Sequence, residues 1–139
     1  MAALTKFNCF SGDLATKVHN LNADALKVLL SNVAPVATNA VKADITEIAA
    51  GFGYTAGGLL APFVSGADTA GLYKLILSPV QFAAAGGSFA TFRYAVLYNS
   101  TPAAGNLIGW VDYGAPITLT NGNSFIVGFD QVNGTLTVQ

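Results

Sequence analysis

The chain has 139 residues, of which 53% are hydrophobic and 9% charged, and its six basic and seven acidic residues leave a net charge of −1. An average soluble domain is about one quarter charged, so a surface this poor in ions is expected to be covered in part by other protein. The singly spread charges exclude a basic patch for a nucleic-acid backbone, and the lone Cys9 excludes an intrachain disulfide or a zinc site built from cysteines.

Membrane insertion by a helix is not expected, because a span needs about 20 nearly unbroken apolar residues. The most apolar stretch, "GLYKLILSPVQFAAAGG", is interrupted by Lys74, Pro79 and Gln81. Residues 1–13 lack a basic start followed by an apolar core, so no cleavable signal is expected. The unpaired cysteine suits a chain made in a reducing cytoplasm.

In chain order, Phe7, Phe10, Leu14, Val18 and Leu21 recur at spacings of three and four. This predicts one helix over 7–21, or from near Asp13, with an apolar stripe. Residues 1–24 form an N-terminal helical segment or arm, and the only change in composition, from helix to sheet, falls near residue 24. "LKVLLSNV" (26–33) reads as a strand that ends before Pro35, and "DITEIAA" (44–50) as a second, short one.

"GFGYTAGG" (51–58) resembles a phosphate cradle, but Leu59, Leu60, Ala61 and Pro62 follow where such a loop needs lysine, a hydroxyl and a helix start. It is read as a turn at a sheet edge. Past the breaker at Pro62, strands are expected in "AGLYKLILSPVQFAA", "SFATFRYAVLYNS", "NLIGWVDYG", "PITLT", "SFIVGFDQV" and "GTLTVQ". Asn121-Gly122 and Asn133-Gly134 are the strongest hairpin signals. The fold class that follows is mainly β: one domain over 1–139, an antiparallel β-sandwich or jelly roll with one short N-terminal helix.

Chemistry is thinly represented. His19 is the only histidine and stands ten residues from Cys9. Asp44 and Glu47 are three apart in a proposed strand and so face opposite sides, whereas Asp112 and Asp130 on late strands are free to converge. No D-x-D-x-D-G calcium loop occurs. No catalytic residue, cofactor or metal site is therefore expected, and the chain is not read as an enzyme. The aromatic residues read as core and interface, with sugar stacking on Trp110 or Tyr113 as an alternative.

The segments "FSGDLATKVHNLNADALKVLLSNVAPVATNAV", "DITEIAAGFGYTAGG", "FRYAVLYN", "LIGWVDYG" and "GFDQVNGTLTV" resemble a family of small virion structural proteins of tailed phages. The resemblance implies a sandwich that decorates the head as a capsid cement protein. Its partner would be the major capsid protein and its place the capsid surface, after assembly in the bacterial cytoplasm. A tail or head–tail component is the alternative. A homotrimer with an apolar centre would account for the few charges. Phe52 departs from the polar residue, such as Asn, expected in relatives, and either contacts a partner or folds back on the sandwich edge. The interface is expected at Phe7 and Phe10, at Phe52 and Tyr54, and at Leu59, Leu60 and Phe63, all apolar and near turns.

Overall fold

The computed structural model describes residues 4–139. Its elements are β1 (Thr5–Lys6), α1 (Cys9–Ala15), β2 (Leu26–Ser31), β3 (Leu59–Leu60), β4 (Phe63–Thr69) and β5 (Leu72–Leu77). The remainder are β6 (Val80–Ala83), β7 (Phe92–Asn99), β8 (Leu107–Ile117), β9 (Ser124–Val127) and β10 (Leu136–Val138), with a 3₁₀ turn at Lys42–Asp44. All strand pairs are antiparallel. The main sheet has the order β1-β8-β7-β2-β3, and the opposing layer consists of a three-stranded sheet β10-β5-β4 and a two-stranded ribbon β6-β9. The chain is thus a mainly β sandwich with one short helix.

Both layers feed one core. Leu26, Val28 and Leu30 of β2 and Ala95 and Leu97 of β7 meet Leu75 and Leu77 of β5, Val80 and Phe82 of β6, and Leu136 of β10. The intervening residues of the main sheet do not face water. Leu29, Val96, Tyr98 and Leu107 form a second apolar cluster on the outer face with Phe7, Cys9, Ile45 and Trp110. Burial on both faces is why β2 and β7 read as continuous apolar runs and not as alternating ones. The N-terminal segment straddles this sheet: β1 pairs with β8, Phe7 joins the outer cluster and Phe10 the inner one. Residues 4–24 are therefore packed into the domain and do not form an arm.

Four local expectations are corrected. The helix ends at Ala15, not at residue 21, because Lys17 turns left-handed at φ 68°. The Lys17 and Val18 N–H groups then reach back to Leu14 and Asp13 at 3.3 and 2.8 Å, a Schellman ending. Residues 44–50 form no strand, because the Asp44 carboxylate accepts the Ala40 and Val41 N–H groups at 2.9 and 3.2 Å and curls the chain. Only an isolated Ser31–Glu47 bridge marks this stretch.

Neither Asn-Gly turn makes a hairpin. β8 pairs with β7 whereas β9 pairs with β6, and β10 pairs with β5, so both turns cross between sheets. The tight hairpin is instead β4–β5, through Ala70 and Gly71 with φ 54° and 84°. Finally, "NLIGWVDYG" and the first two residues of "PITLT", Pro116 and Ile117, belong to one strand. A bulge opposite Phe92 and Tyr94 takes Pro116 out of the hydrogen-bond ladder, so β8 passes a residue that cannot donate.

Candidate functional site

The "GFGYTAGG" stretch is a turn, as its residues suggest. Gly51 and Tyr54 exchange backbone hydrogen bonds of 2.9 and 3.1 Å, with Phe52 and Gly53 at φ 56° and 100°. Two positive φ values in a two-residue turn suit Asn-Gly, not Phe-Gly. A bulky residue held there carries strain of about 1 kcal/mol or more. The Phe52 ring lies over Gly87, where any Cβ would overlap it, yet the residue remains 55% exposed. It therefore both folds back on the edge and faces outward.

The turn is held from below. The Tyr54 hydroxyl donates to Glu47 Oε1 at 2.6 Å and accepts the Leu30 N–H at 3.1 Å, and the Gly57 N–H donates to the same carboxylate oxygen at 2.5 Å. Burial, the largest cause, and the Glu47 carboxylate together raise the Tyr54 pKa far above that of a free phenol. β3 covers only Lys27 and Val28 of β2, so beyond it the Tyr54 hydroxyl and the Ile48 N–H (3.0 Å to the Leu30 carbonyl) take the place of a missing strand.

The segment leads into an uncharged face. No Asp, Glu, Lys or Arg occurs in residues 48–67, 75–92 or 113–129. The fold brings these three runs together. β6 pairs with β9, β3 packs against β6, and the Phe52 carbonyl accepts the Ala85 N–H at 2.9 Å just past the end of β6. Just before its start, the Ser78 N–H donates to Pro62 at 2.8 Å, beside Phe63. β6 thus runs between Phe63 and Phe52, a span of about 20 Å at the strand rise of 3.3 Å per residue. Its outward Gln81 lies opposite Ile126 of β9.

Among the described residues, six of the nine exposed large apolar ones stand on these uncharged runs: Phe52, Leu59, Leu60, Phe63, Val64 and Ile126. Two sheet edges open here, β3 of the main sheet and β4 of the three-stranded one. β4 is exposed at six of its seven residues, and Val64 is the extra residue of a bulge between Phe63 and Ser65.

Of the expected interface residues, Phe52, Leu59, Leu60 and Phe63 lie on this face. Phe7, Phe10 and Tyr54, by contrast, are 2–3% exposed and fill the interior, so they offer no surface. Val64 and Ile126 are exposed there as well, without having been expected. For Ile126 a signal existed, since in "SFIV" strand alternation turns Ile126 away from Phe125 and Val127.

Elsewhere several polar groups are committed to structure. Asp112 is bound bidentately by Arg93 at 2.7 and 3.0 Å, which holds its pKa below the usual carboxylate range. Asp130 closes its own turn through the N–H groups of Val132 and Asn133, with the same consequence. His19 is buried beneath Phe10, where Nδ1 lies 3.1 Å from Asn99 Nδ2. Cys9 Sγ points toward the carbonyls of Asn39, Ala40 and Leu107, and burial raises its pKa.

Trp110 and Tyr113 do not share a sugar platform. They stand three apart on β8 and join opposite clusters, Trp110 tilted on Phe7 at 4.5 Å and Tyr113 edge-on to Phe125 at 5.1 Å. Burial pushes the Tyr113 hydroxyl up to about 12. Among the described residues, no three His, Cys, Asp or Glu side chains gather into a set able to hold a metal ion, and no helix is long and apolar enough to cross a membrane. No family model, curated protein or solved structure matches the chain.

Proposed function

We propose that this is a structural protein of a tailed-phage virion, a head-decoration protein that binds the major capsid protein as a homotrimer and performs no catalysis. The observation that carries the reading is that six exposed large apolar side chains fall on chain runs without charge. Apolar exposure concentrated in this way favours contact with other protein. The carboxylates of Glu47, Asp112 and Asp130 hold loops and strands in place, which leaves area, not chemistry, as the property on offer. The resemblance of the quoted segments to small virion proteins supplies the kind of assembly.

The test is co-sedimentation of the purified chain with capsids of its own phage that lack it, followed by cryo-EM of the pellet. Density at regular positions on the shell is the expected result. A protein that stays in the supernatant, or that immunogold labelling places on tails alone, would overturn the assignment to the head.

A further inference from the structure

We infer that Asn133-Gly134 is a site of spontaneous deamidation, a one-way modification with water as its only co-reactant, and that the fold protects Asn121-Gly122 from the same reaction. The modification puts a new charge into the turn that carries β10. The inference is independent of the proposed function.

The chemistry is local. The Gly134 backbone nitrogen loses its proton and attacks Asn133 Cγ, closing a five-membered succinimide. The Cγ–Nδ2 bond breaks, and Nδ2 leaves as ammonia. Water then opens the ring at either carbonyl and leaves aspartate or isoaspartate at position 133. Nothing is oxidised or reduced. Glycine in the following position favours closure, because no Cβ crowds its nitrogen and its backbone angles are the freest.

The sequence treats the two sites alike. Each asparagine follows a β-branched residue, Thr120 or Val132, precedes a glycine and lies in an exposed turn. The fold separates them. At the first site the nucleophile is engaged: the Gly122 N–H donates to the Ala84 carbonyl at 2.9 Å, and Asn121 Oδ1 accepts the Gly86 N–H at 3.0 Å. Ring closure there requires the turn to detach from the segment that follows β6.

At the second site the Gly134 N–H has no acceptor among the described residues. Asp130 Oδ1 takes the N–H groups of Val132 and Asn133, at 2.9 and 2.8 Å, and the series stops there. A single bond holds the carboxamide, from Asn133 Nδ2 to Asp130 Oδ2 at 2.9 Å, at the surface and within its own turn. A cleft of about 340 Å³ lined by Lys6, Asp130, Asn133 and Thr137 gives water access to it. A larger residue after Asn133, which would slow the reaction, does not fit, since a Cβ on Gly134 would meet Lys74 Cγ at 2.6 Å.

The product changes the turn. Hydrogen bonds from the Asn133 backbone and side chain are the main causes that hold the Asp130 carboxyl below the usual range. A carboxylate at position 133 cannot donate, so one of these attractions becomes a repulsion between like charges. The turn opens into β10, an edge strand, and is tied down by Thr135 N–H to the Leu75 carbonyl at 2.8 Å and Lys74 Nζ to the Val132 carbonyl at 2.9 Å. Loosening it reaches β10 first.

The experiment incubates the full chain at about 37 °C, folded and in concentrated urea, and follows the amide-to-acid mass change at both sites by peptide mapping. Isoaspartyl methyltransferase counts the isoaspartate. In urea the two sites should react within about three-fold of each other. In the folded chain Asn133 should react at least ten-fold faster than Asn121, equivalent to about 1.4 kcal/mol of barrier. Folded-state rates within three-fold of each other, or a faster Asn121, would overturn the inference. So would an Asn133 that reacts in urea and stays intact in the folded chain.

Hydrogen exchange reads the consequence. Exchange of 135–138 should accelerate in the aged wild type and in Asn133→Asp. Aged and fresh Asn133→Gln, whose larger ring closes far more slowly, should exchange alike. Unchanged exchange in fully converted wild type would overturn the effect on β10.

Discussion

Tyr54→Phe removes one oxygen that serves two groups. Its hydroxyl accepts from the Leu30 N–H and donates to Glu47 Oε1, which also receives the Gly57 N–H. The ring itself stays, since Tyr54 packs on Phe82 and Phe89 at centroid distances of 5.9 and 5.7 Å, and phenylalanine preserves those contacts. The loss is therefore polar. Leu30 is fully buried, and orphaning its N–H costs about 1–3 kcal/mol; a hydrogen bond to a carboxylate contributes a further ~1.5 kcal/mol. A destabilisation of about 2.5–4.5 kcal/mol follows, which for a chain of this size lowers Tm by roughly 10 °C. Glu47→Gln keeps an acceptor for both donors and loses only the Lys42 pair, 3.4 Å apart and partly exposed, so about 1 kcal/mol is expected. Urea unfolding followed by Trp110 fluorescence measures both variants, and amide exchange at Leu30 should accelerate in Tyr54→Phe alone. A Tyr54→Phe midpoint within about 0.5 kcal/mol of wild type would refute the idea that this hydroxyl replaces a strand.

Phe52→Asn should raise thermal stability by about 0.5–1 kcal/mol by relaxing the left-handed turn, while weakening self-association in sedimentation. Ala70→Asn, in the β4–β5 hairpin, should stabilise by a similar few tenths to 1 kcal/mol without affecting assembly. His19 should set a stability window on its own. Burial lowers its pKa despite Asp13, 3.9 Å from Nε2, and Asp24, which shares Asn99. The unfolded chain then binds the extra proton first, so this contribution is complete above about pH 6.5 and declines as the pH falls toward the lower folded value, by at most about 1.4 kcal/mol per unit. Urea midpoints at pH 8 and 5.5 measure it, and His19→Gln should flatten the difference.

The sandwich was legible in the sequence because its strands are bounded by turn residues and lack intervening helices. The two-sided character of 26–31 and 92–99 was legible too, but its cause was not. The outer face of the main sheet is covered by Phe7 and Ile45, and nothing local to β7 announces a lid drawn from some 50 to 90 residues earlier. The Asn-Gly turns misled because a turn's backbone angles do not say whether the next strand returns to the same sheet. Of the residues expected at an interface, Leu59, Leu60 and Phe63 are exposed, as their place beside Pro62 suggests. Tyr54 was not separable from Phe52 by position, since both lie in one turn and only the carboxylate of Glu47 draws one of them inward.

Apolar abundance and charge scarcity have different physical origins in this chain. Much of the 53% hydrophobic content is consumed within the domain, because the main sheet has a core on each face instead of one. Composition alone therefore overstates how much surface needs covering. The accessible surface, 6746 Å², is what a folded chain of 14.2 kDa presents, about 6,800 Å² by the usual scaling with mass. Thirteen charges must serve all of it, about 520 Å² each. Spread evenly, such a coat would be thin everywhere. Here it is absent from three runs that the fold brings into contact through β3, β6 and β9. Distribution, not composition, therefore favours assembly: a second core explains a greasy sequence, but it does not explain why Phe63, Phe52 and Ile126 are exposed on runs that carry no charged residue.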